Sequence, residues 1–272
     1  MRFHAAQLVG LVLACFAGCN KASPTPVGAD RLVFRDAQGR ELTVKDIAGV
    51  TGHINWSIVG CENVPQRARE LHESGRRAGQ AGDYDRALVL FTQARHEAPQ
   101  WPYPAYDAAY TSLLKGDLVQ AERDYAAVEQ LSPRGFFTAK AEMDCIRRER
   151  AGELAPGTCR SYVIVAEMAD PSDKSAALQR LLRQSPSLAI AWKELALLLQ
   201  EDDAKMTAIA KGLACHPDGD TKGILLINKA LILDRQEKHA EAIRILGELA
   251  LDPKSTLMTE QLAKASLANL LR

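Results

Sequence analysis

The chain has 272 residues, of which 47% are hydrophobic and 25% are charged. This balance allows a sizeable core and excludes a chain that is disordered by composition. Lys and Arg together number 34, as do Asp and Glu, so the net charge is zero, which argues against a general binder of nucleic acid or anionic surfaces.

The first 18 residues are predicted to be a targeting segment rather than part of the fold. Arg2 and His4 give it a positive start, and the apolar run that follows is too short to span a bilayer as a helix. The run ends in Phe16-Ala17-Gly18-Cys19, which resembles the lipobox of bacterial lipoproteins. The resemblance implies cleavage before Cys19 and lipidation of its thiol. The alternative is an ordinary secretory signal that is cut nearby, with Cys19 incidental.

A lipidated Cys19 would anchor the chain to a membrane of the bacterial cell envelope, because each buried methylene of an acyl chain contributes about 0.8 kcal/mol. Asn20, rather than Asp, follows the cysteine. By resemblance to the sorting rule of enteric bacteria, this favours the outer membrane, with the folded part facing the periplasm. Residues 19–30 contain Ser, Pro, Thr and Gly and predict a flexible tether.

Residues 31–60 predict a small β-containing cap. The runs Leu32-Val33-Phe34 and Leu42-Thr43-Val44 are β-prone and are separated by a polar turn with Gly39, which is typical of a hairpin. Residues 50–59 are compatible with a third strand. This opening weakly resembles thioredoxin-like periplasmic proteins, but no Cys-x-x-Cys follows it. We interpret it as a cap, because the end of a repeat array has a face that no neighbouring repeat covers.

Residues 68–135 contain the same unit twice, with an offset of 34 residues. The matching positions are Gly82-Asp83-Tyr84, Ala87, Phe91, Ala94 and Pro99 in the first unit and Gly116-Asp117-Leu118, Ala121, Tyr125, Val128 and Pro133 in the second. This period and pattern resemble the tetratricopeptide repeat (TPR). The resemblance implies a mostly α, TPR-like helical-hairpin solenoid over 61–272. In TPR proteins the first helix of each pair lines a concave surface.

The strict period fails after Pro133, and the middle of the chain is interpreted as degenerate repeats with an insertion. The clear repeats are predicted over 68–101, 102–135, 189–219 and 223–256, and residues 257–272 predict a capping helix. In the last repeat the sequence predicts a first helix over 224–233, after a turn at Pro217-Asp218-Gly219-Asp220.

The TPR pattern implies which side chains face the groove. They are Arg69, His72 and Arg76 in the first repeat and Tyr103, Tyr106, Tyr110 and Leu113 in the second. Tyrosine is a favoured contact residue, because it combines an apolar ring with a hydroxyl group. The alternative is that the tyrosines fill space left by neighbouring alanines or are covered by the N-terminal cap, while the charged positions of the first repeat form a solvated face.

Four cysteines remain after the predicted signal and lipidation site: Cys61, Cys145, Cys159 and Cys215. An even number suits an oxidising compartment. Cys145 and Cys159 flank a turn with Gly and Pro and are the favoured disulfide pair. Three connectivities remain open, as do buried free thiols. The cysteines show neither a Cys-x-x-Cys motif nor the spacing of zinc ligands, so no metal site is predicted.

The sequence has no Gly-x-Ser-x-Gly, no His-Glu-x-x-His and no phosphate-binding Gly-rich loop. It therefore predicts no catalytic residues and no cofactor. The leading hypothesis is a membrane-anchored scaffold that binds a protein or peptide, but no nucleic acid, in its groove. In architecture and address it resembles envelope TPR lipoproteins that help to assemble outer-membrane machines. The alternatives are an envelope enzyme or thiol-redox protein that uses the β segment and Cys61, and an oligomeric structural component.

Overall fold

The computed structural model describes residues 31–35, 40–43, 46, 55–59 and 64–271. The chain divides into two compact units, Met1–Asn63 and Val64–Arg272. The predicted signal peptide, the tether, Cys19 and Cys61 lie outside the described residues.

The first unit contains a three-stranded antiparallel sheet. Its strands are β1 (Arg31–Arg35), β2 (Glu41–Leu42) and β3 (Asn55–Val59), in the order β2-β1-β3. Phe34 is opposite Leu42 on one side and Trp56 on the other, and the side chains of Val33 and Leu42 are buried. The predicted hairpin is therefore present, and the predicted third strand pairs with its central strand.

The second unit is built of α-helices. They are α1 (Gln66–Gln80), α2 (Tyr84–Glu97), α3 (Pro102–Lys115), α4 (Leu118–Leu131), α5 (Ala139–Arg150), α6 (Thr158–Ala166), α7 (Pro171–Gln184), α8 (Ala189–Leu198), α9 (Asp202–Ala214), α10 (Gly219–Arg235), α11 (His239–Leu251) and α12 (Leu257–Leu270). Each helix packs against the next along the chain. The predicted fold class, a mostly α, TPR-like helical-hairpin solenoid with an N-terminal β hairpin, is confirmed.

Identical local chemistry builds the turns of the first two repeats. Asp83 accepts a hydrogen bond from the backbone N–H of Arg86 at 3.2 Å, and Asp117 accepts one from Gln120 at 3.0 Å. Each carboxylate thereby caps the second helix of its repeat. The preceding Gly82 and Gly116 have φ of +82° and +84°, a conformation that other residues rarely adopt. The 34-residue offset is therefore repeated in backbone geometry.

Small residues let the helices of these repeats approach closely. Ala87 and Ala121 are fully buried at equivalent positions, and Phe91 and Tyr125 fill the space beside them. A Cβ atom added to Gly75 would lie 2.6 Å from Cε1 of Phe91, well inside van der Waals contact. Glycine at this position therefore sets the separation of α1 and α2.

The middle of the second unit departs from simple helical pairs. The short helix α6 contacts α5, α7 and, across the fold, α3. A disulfide joins Cys145 on α5 to Cys159 on α6, with their Cα atoms 5.8 Å apart. The Glu149 carboxylate accepts hydrogen bonds from the backbone N–H groups of Gly157 and Cys159, at 2.5 and 2.8 Å. The disulfide and the capping by Glu149 therefore both attach α6 to α5.

Helix α10 begins earlier than the sequence predicted. Asp218 accepts hydrogen bonds from the N–H groups of Asp220 and Thr221, at 2.9 and 3.2 Å, and so caps a helix that starts at Gly219 rather than at Ile224. An Asp-Gly sequence signals a turn, but Asp is also a preferred N-cap, and here the cap prevails.

The C-terminal helices α10, α11 and α12 share one hydrophobic cluster that includes Ala230, Leu246 and Ala263. Helices α10 and α12 approach very closely at Gly223. A Cβ atom added to this glycine would lie 2.1 Å from Oγ1 of Thr259. The capping helix is thus packed against the last repeat as part of its core.

Candidate functional site

The first helices of the two clear repeats, α1 and α3, face each other on one side of the second unit, which we call the inner face. Nε2 of His72 lies 2.7 Å from Oδ2 of Asp107, and Nε of Arg76 lies 3.7 Å from the same oxygen. Asp107 on α3 therefore fixes two side chains of α1. Asp107 is not among the predicted groove residues, because it is next to the groove position of Tyr106 and not at a groove position itself.

Six rings form an inner aromatic cluster, made of His72, Trp101, Tyr103, Tyr106, Phe136 and Phe137. The ring centroids are 4.8 Å apart for His72 and Trp101, 4.9 Å for Tyr103 and Phe136, and 5.3 Å for Tyr106 and Phe137. Several pairs have edge-to-face geometry, which is favourable for aromatic side chains. The tyrosines are therefore packed against two phenylalanines from the next segment of the chain.

The two phenylalanines belong to the turn between α4 and α5. Phe136 is fully buried, and Phe137 has a φ of +46°, which is rare for a bulky residue. This backbone conformation is strained, and it occurs at the turn that places both rings on the inner face. The adjacent Phe136-Phe137 pair is visible in the sequence, but nothing local indicates that the pair covers Tyr103 and Tyr106.

A hydrogen-bonded network continues from the aromatic cluster into the core. The hydroxyl groups of Tyr106 and Thr138 are 2.7 Å apart. Thr138 donates to Glu142 at 2.9 Å, and the Tyr125 hydroxyl donates to the other carboxylate oxygen of Glu142. Burial raises the pKa of Glu142, although the hydrogen bonds from Tyr125 and Thr138 lower it in part. Glu142 is thus a buried acceptor that holds α3, α4 and α5 together.

Two of the predicted groove residues are not available to a partner. Leu113 is 0% exposed, so its assignment as a contact residue is wrong. Its side chain lies on the buried side of α3, in the hydrophobic core. His72 is 5% exposed and is engaged with Asp107 and Trp101, so it positions other side chains rather than facing solvent. The TPR pattern marks positions on a helix but not what the rest of the chain places over them.

The other predicted groove residues reach the surface to different degrees. Arg69 is exposed, whereas Arg76, Tyr103, Tyr106 and Tyr110 are partly buried. Burial, followed by the carboxylates of Glu167 and Glu142, raises the pKa of the Tyr110 phenol far above its usual range. The phenol therefore remains protonated, and its O–H group remains a hydrogen-bond donor.

A second polar group lies between α6, α7 and α8. Nζ of Lys174 is 3.3 Å from the Glu194 carboxylate, Nζ of Lys193 is 3.0 Å from it, and Lys174 also donates to the carbonyl of Ala166 at 2.9 Å. Burial alone would raise the pKa of Glu194, but the two lysines lower it to about 2. These charges satisfy one another, which is how buried ion pairs are tolerated.

Within residues 31–35, 40–43, 46, 55–59 and 64–271, no three His, Cys, Asp or Glu side chains are grouped so that they could hold a metal ion. The same described residues contain no helix that is long and apolar enough to cross a membrane.

The sequence matches no protein-family model and no curated protein. Among the solved structures that resemble this chain is MamA, from residue 41 to its end, of Desulfovibrio magneticus RS-1. It shares 14% identity with this chain and gives a TM-score of 0.34, and the alignment covers 68% of this chain and 94% of MamA.

Two further structures show a similar degree of likeness. A thermophilic TPR protein of Thermus thermophilus has 18% identity and a TM-score of 0.33, with 74% of this chain and 99% of that one covered. A tetratricopeptide repeat protein from Parabacteroides merdae has 14% identity and a TM-score of 0.36, with coverage of 77% and 86%. Likeness of this degree identifies neither a partner nor an activity.

Proposed function

We propose that this chain is a non-catalytic, lipid-anchored scaffold of the bacterial cell envelope that binds a protein or peptide partner on the inner face of α1 and α3. The observation that carries the proposal is the arrangement of that face. Exposed Arg69 lies on the same helix as Arg76, which forms an ion pair with Asp107 on α3, and the partly buried Tyr103 and Tyr110 lie on α3 as well. Arginine and tyrosine are enriched among the residues that dominate binding energy at protein interfaces.

The inner face is also preorganised. The contacts of His72 and Arg76 with Asp107 and the ring contacts within the inner aromatic cluster fix side chains of α1 and α3. A site whose side chains are already ordered loses less conformational entropy when a partner binds, so more of the contact energy appears as affinity. An extended or helical peptide with acidic and apolar side chains would complement this surface.

The envelope location rests on the sequence. The ending Phe16-Ala17-Gly18-Cys19 supports lipidation at Cys19, and Asn20 favours the outer membrane. The disulfide between Cys145 and Cys159 suits an oxidising compartment such as the periplasm. In this proposal residues 19–30 tether the folded part near the membrane, where it would act in the assembly of envelope proteins.

Site-specific photo-crosslinking in intact cells tests the binding face. A photoreactive amino acid in place of Arg69 should form a discrete adduct with a partner, because this position is exposed on α1. The matched control is the same substitution at Arg86, which is also an exposed arginine but lies on α2. Adducts at 69 but not at 86, identified by mass spectrometry, are the expected result. Equal labelling at both positions, or none at 69, would contradict the assignment of the inner face.

The anchor is tested separately in the same cells. Cys19→Ser should prevent lipidation, so that the protein moves from the membrane fraction to the soluble fraction and no longer incorporates labelled fatty acid. Cys215→Ala, which removes a free and partly exposed thiol, is the control and should leave the membrane fraction unchanged. Retention of Cys19→Ser in the membrane fraction would refute the anchor without affecting the binding face.

A further inference from the structure

The turn between α4 and α5 contacts the other end of the second unit. The backbone N–H of Leu257 donates a hydrogen bond to the carbonyl of Arg134 at 2.8 Å. The Arg134 guanidinium also forms an ion pair with Glu260 on α12, across 126 residues of sequence. This long-range contact joins the second repeat directly to the capping helix.

At Gly135, the turn between α4 and α5 lies very close to the C-terminal helices. Gly135 has a φ of +101°, and a Cβ atom added there would lie 3.3 Å from Cβ of Thr256 and 3.4 Å from Oδ2 of Asp220. The turn therefore rests against the N-termini of both α10 and α12. A side chain at position 135 would be strained by the backbone and crowded by its neighbours.

Asp220 is enclosed by this contact. Its side chain is 6% exposed, and its Oδ2 atom accepts no hydrogen bond from any group in the described part of the chain. The neighbouring hydroxyl of Thr221 is also buried and has no partner among the described residues. A buried carboxylate oxygen that lacks a donor makes the ionised form costly to keep.

The groups that shift the pKa of Asp220 lie on α5, on α8 and at the starts of α10 and α12. The pKa of Asp220 is raised to about 6, chiefly by burial, and the carboxylate of Asp218, the N-cap of the same helix, acts in the same direction. The Thr256 hydroxyl before α12 and the positive charges of Lys140 on α5 and Lys193 on α8 lower the pKa and offset part of this effect. Arg134 and Glu260 also lie at this contact, and their opposite charges form an ion pair with no net charge.

We propose that the contact of residues 132–138 with the N-termini of α10 and α12 is a pH-sensitive latch, which closes the C-terminal helices onto the second repeat. The same turn carries Phe136, Phe137 and Thr138, which cover Tyr103 and Tyr106 on the inner face. Opening of the latch would therefore loosen the inner aromatic cluster as well. The proposal concerns the fold of this chain alone and does not depend on the proposed function.

The direction of the pH effect follows from linkage. The pKa of Asp220 is raised in the closed latch above the ordinary aspartate value of 3.8, so closing favours the protonated carboxyl. The latch is tightest below about pH 4, weakens as the pH rises toward about 6 and changes little above that. Between pH 5 and pH 7.5 the equilibrium constant for opening should increase about tenfold.

Hydrogen exchange of the full-length protein tests the latch. The readout is the protection of residues 257–262, corrected for intrinsic exchange rates, at pH 5 and pH 7.5. Hydrogen bonds from Lys264 and Arg134 lower the pKa of Glu260, so the Arg134 ion pair persists at both pH values. We expect about tenfold less protection at pH 7.5 in the unmodified protein, and a change within about twofold in Asp220→Asn, whose amide does not ionise.

The matched control is Asp202→Asn, which removes a carboxylate that is bound to Arg235 at the far end of α10. In this variant, the hydrogen-exchange protection of residues 257–262 should keep the tenfold pH dependence. Gly135→Ala should reduce protection at both pH values, because its methyl group crowds Thr256 and Asp220. The latch is refuted if Asp220→Asn retains the pH dependence, if the unmodified protein shows none, or if Gly135→Ala leaves protection unchanged.

Discussion

Replacing Phe91 with alanine is expected to lower the free energy of unfolding by about 3–5 kcal/mol. Phe91 is 2% exposed and forms a cluster with Ala87 and Ala108, so its ring contacts α3 as well as its own helix. Its ring also contacts Gly75 and His72 on α1. Its removal would leave a cavity where three helices meet, and urea denaturation followed by circular dichroism would measure the loss.

The control on the same helix is Val89→Ala. Val89 is 57% exposed, so this change should alter the free energy of unfolding by less than about 0.5 kcal/mol. A double-mutant cycle tests the contact itself. Gly75→Ala should be destabilising alone, because its Cβ atom would lie 2.6 Å from Phe91, and better tolerated when Phe91 is already alanine. An equal cost of Gly75→Ala in both backgrounds would show that the ring does not set this helix separation.

Local chemistry made the repeat architecture predictable. The turns at Gly82-Asp83 and Gly116-Asp117 need a residue that accepts positive φ, followed by a helix N-cap, and both requirements are visible in the sequence. Alanine at the close-contact positions and proline after each pair complete the pattern. Signals of this kind depend on neighbours within a few residues, so they can be recognised in the sequence without the tertiary structure.

The start of α10 was not predictable in the same way. The sequence Pro217-Asp218-Gly219-Asp220 is compatible with both a turn and an N-cap, since the same aspartate side chain serves either conformation. In the structure, Gly223 in the first turns of α10 lies against Thr259 of α12. That contact joins residues that are far apart in sequence, so no local pattern indicates it.

The candidate site was predictable as a face but not as a set of contacts. The repeat period predicted Arg69 as a groove position, and its side chain is exposed on α1. It did not show that Phe136 and Phe137 cover Tyr103 and Tyr106, or that Leu113 is buried. The covering of the tyrosines depends on a turn that belongs to the following, irregular segment of the chain. The strict period fails at Pro133, immediately before this turn.

Removing the disulfide between Cys145 and Cys159 should lower the free energy of unfolding by about 3 kcal/mol. The bond closes a loop with a sequence separation of 14 residues, and its loss increases the conformational freedom of the unfolded chain. The double variant Cys145→Ala/Cys159→Ala is preferred to serine, because both side chains are buried and a buried hydroxyl without a partner would add a separate cost. Urea denaturation under non-reducing conditions gives the measurement.

The native fold should persist in this variant, because α6 has other attachments. Glu149 still caps its N-terminus, and the Thr158 hydroxyl lies 2.7 Å from that of Ser185 at the end of α7. Reductant should destabilise the unmodified protein by the same amount and leave the double variant unchanged. A further shift in the double variant would mean that reductant acts on more than the bond between Cys145 and Cys159. An unmodified protein that is insensitive to reductant would contradict a stabilising bond between α5 and α6.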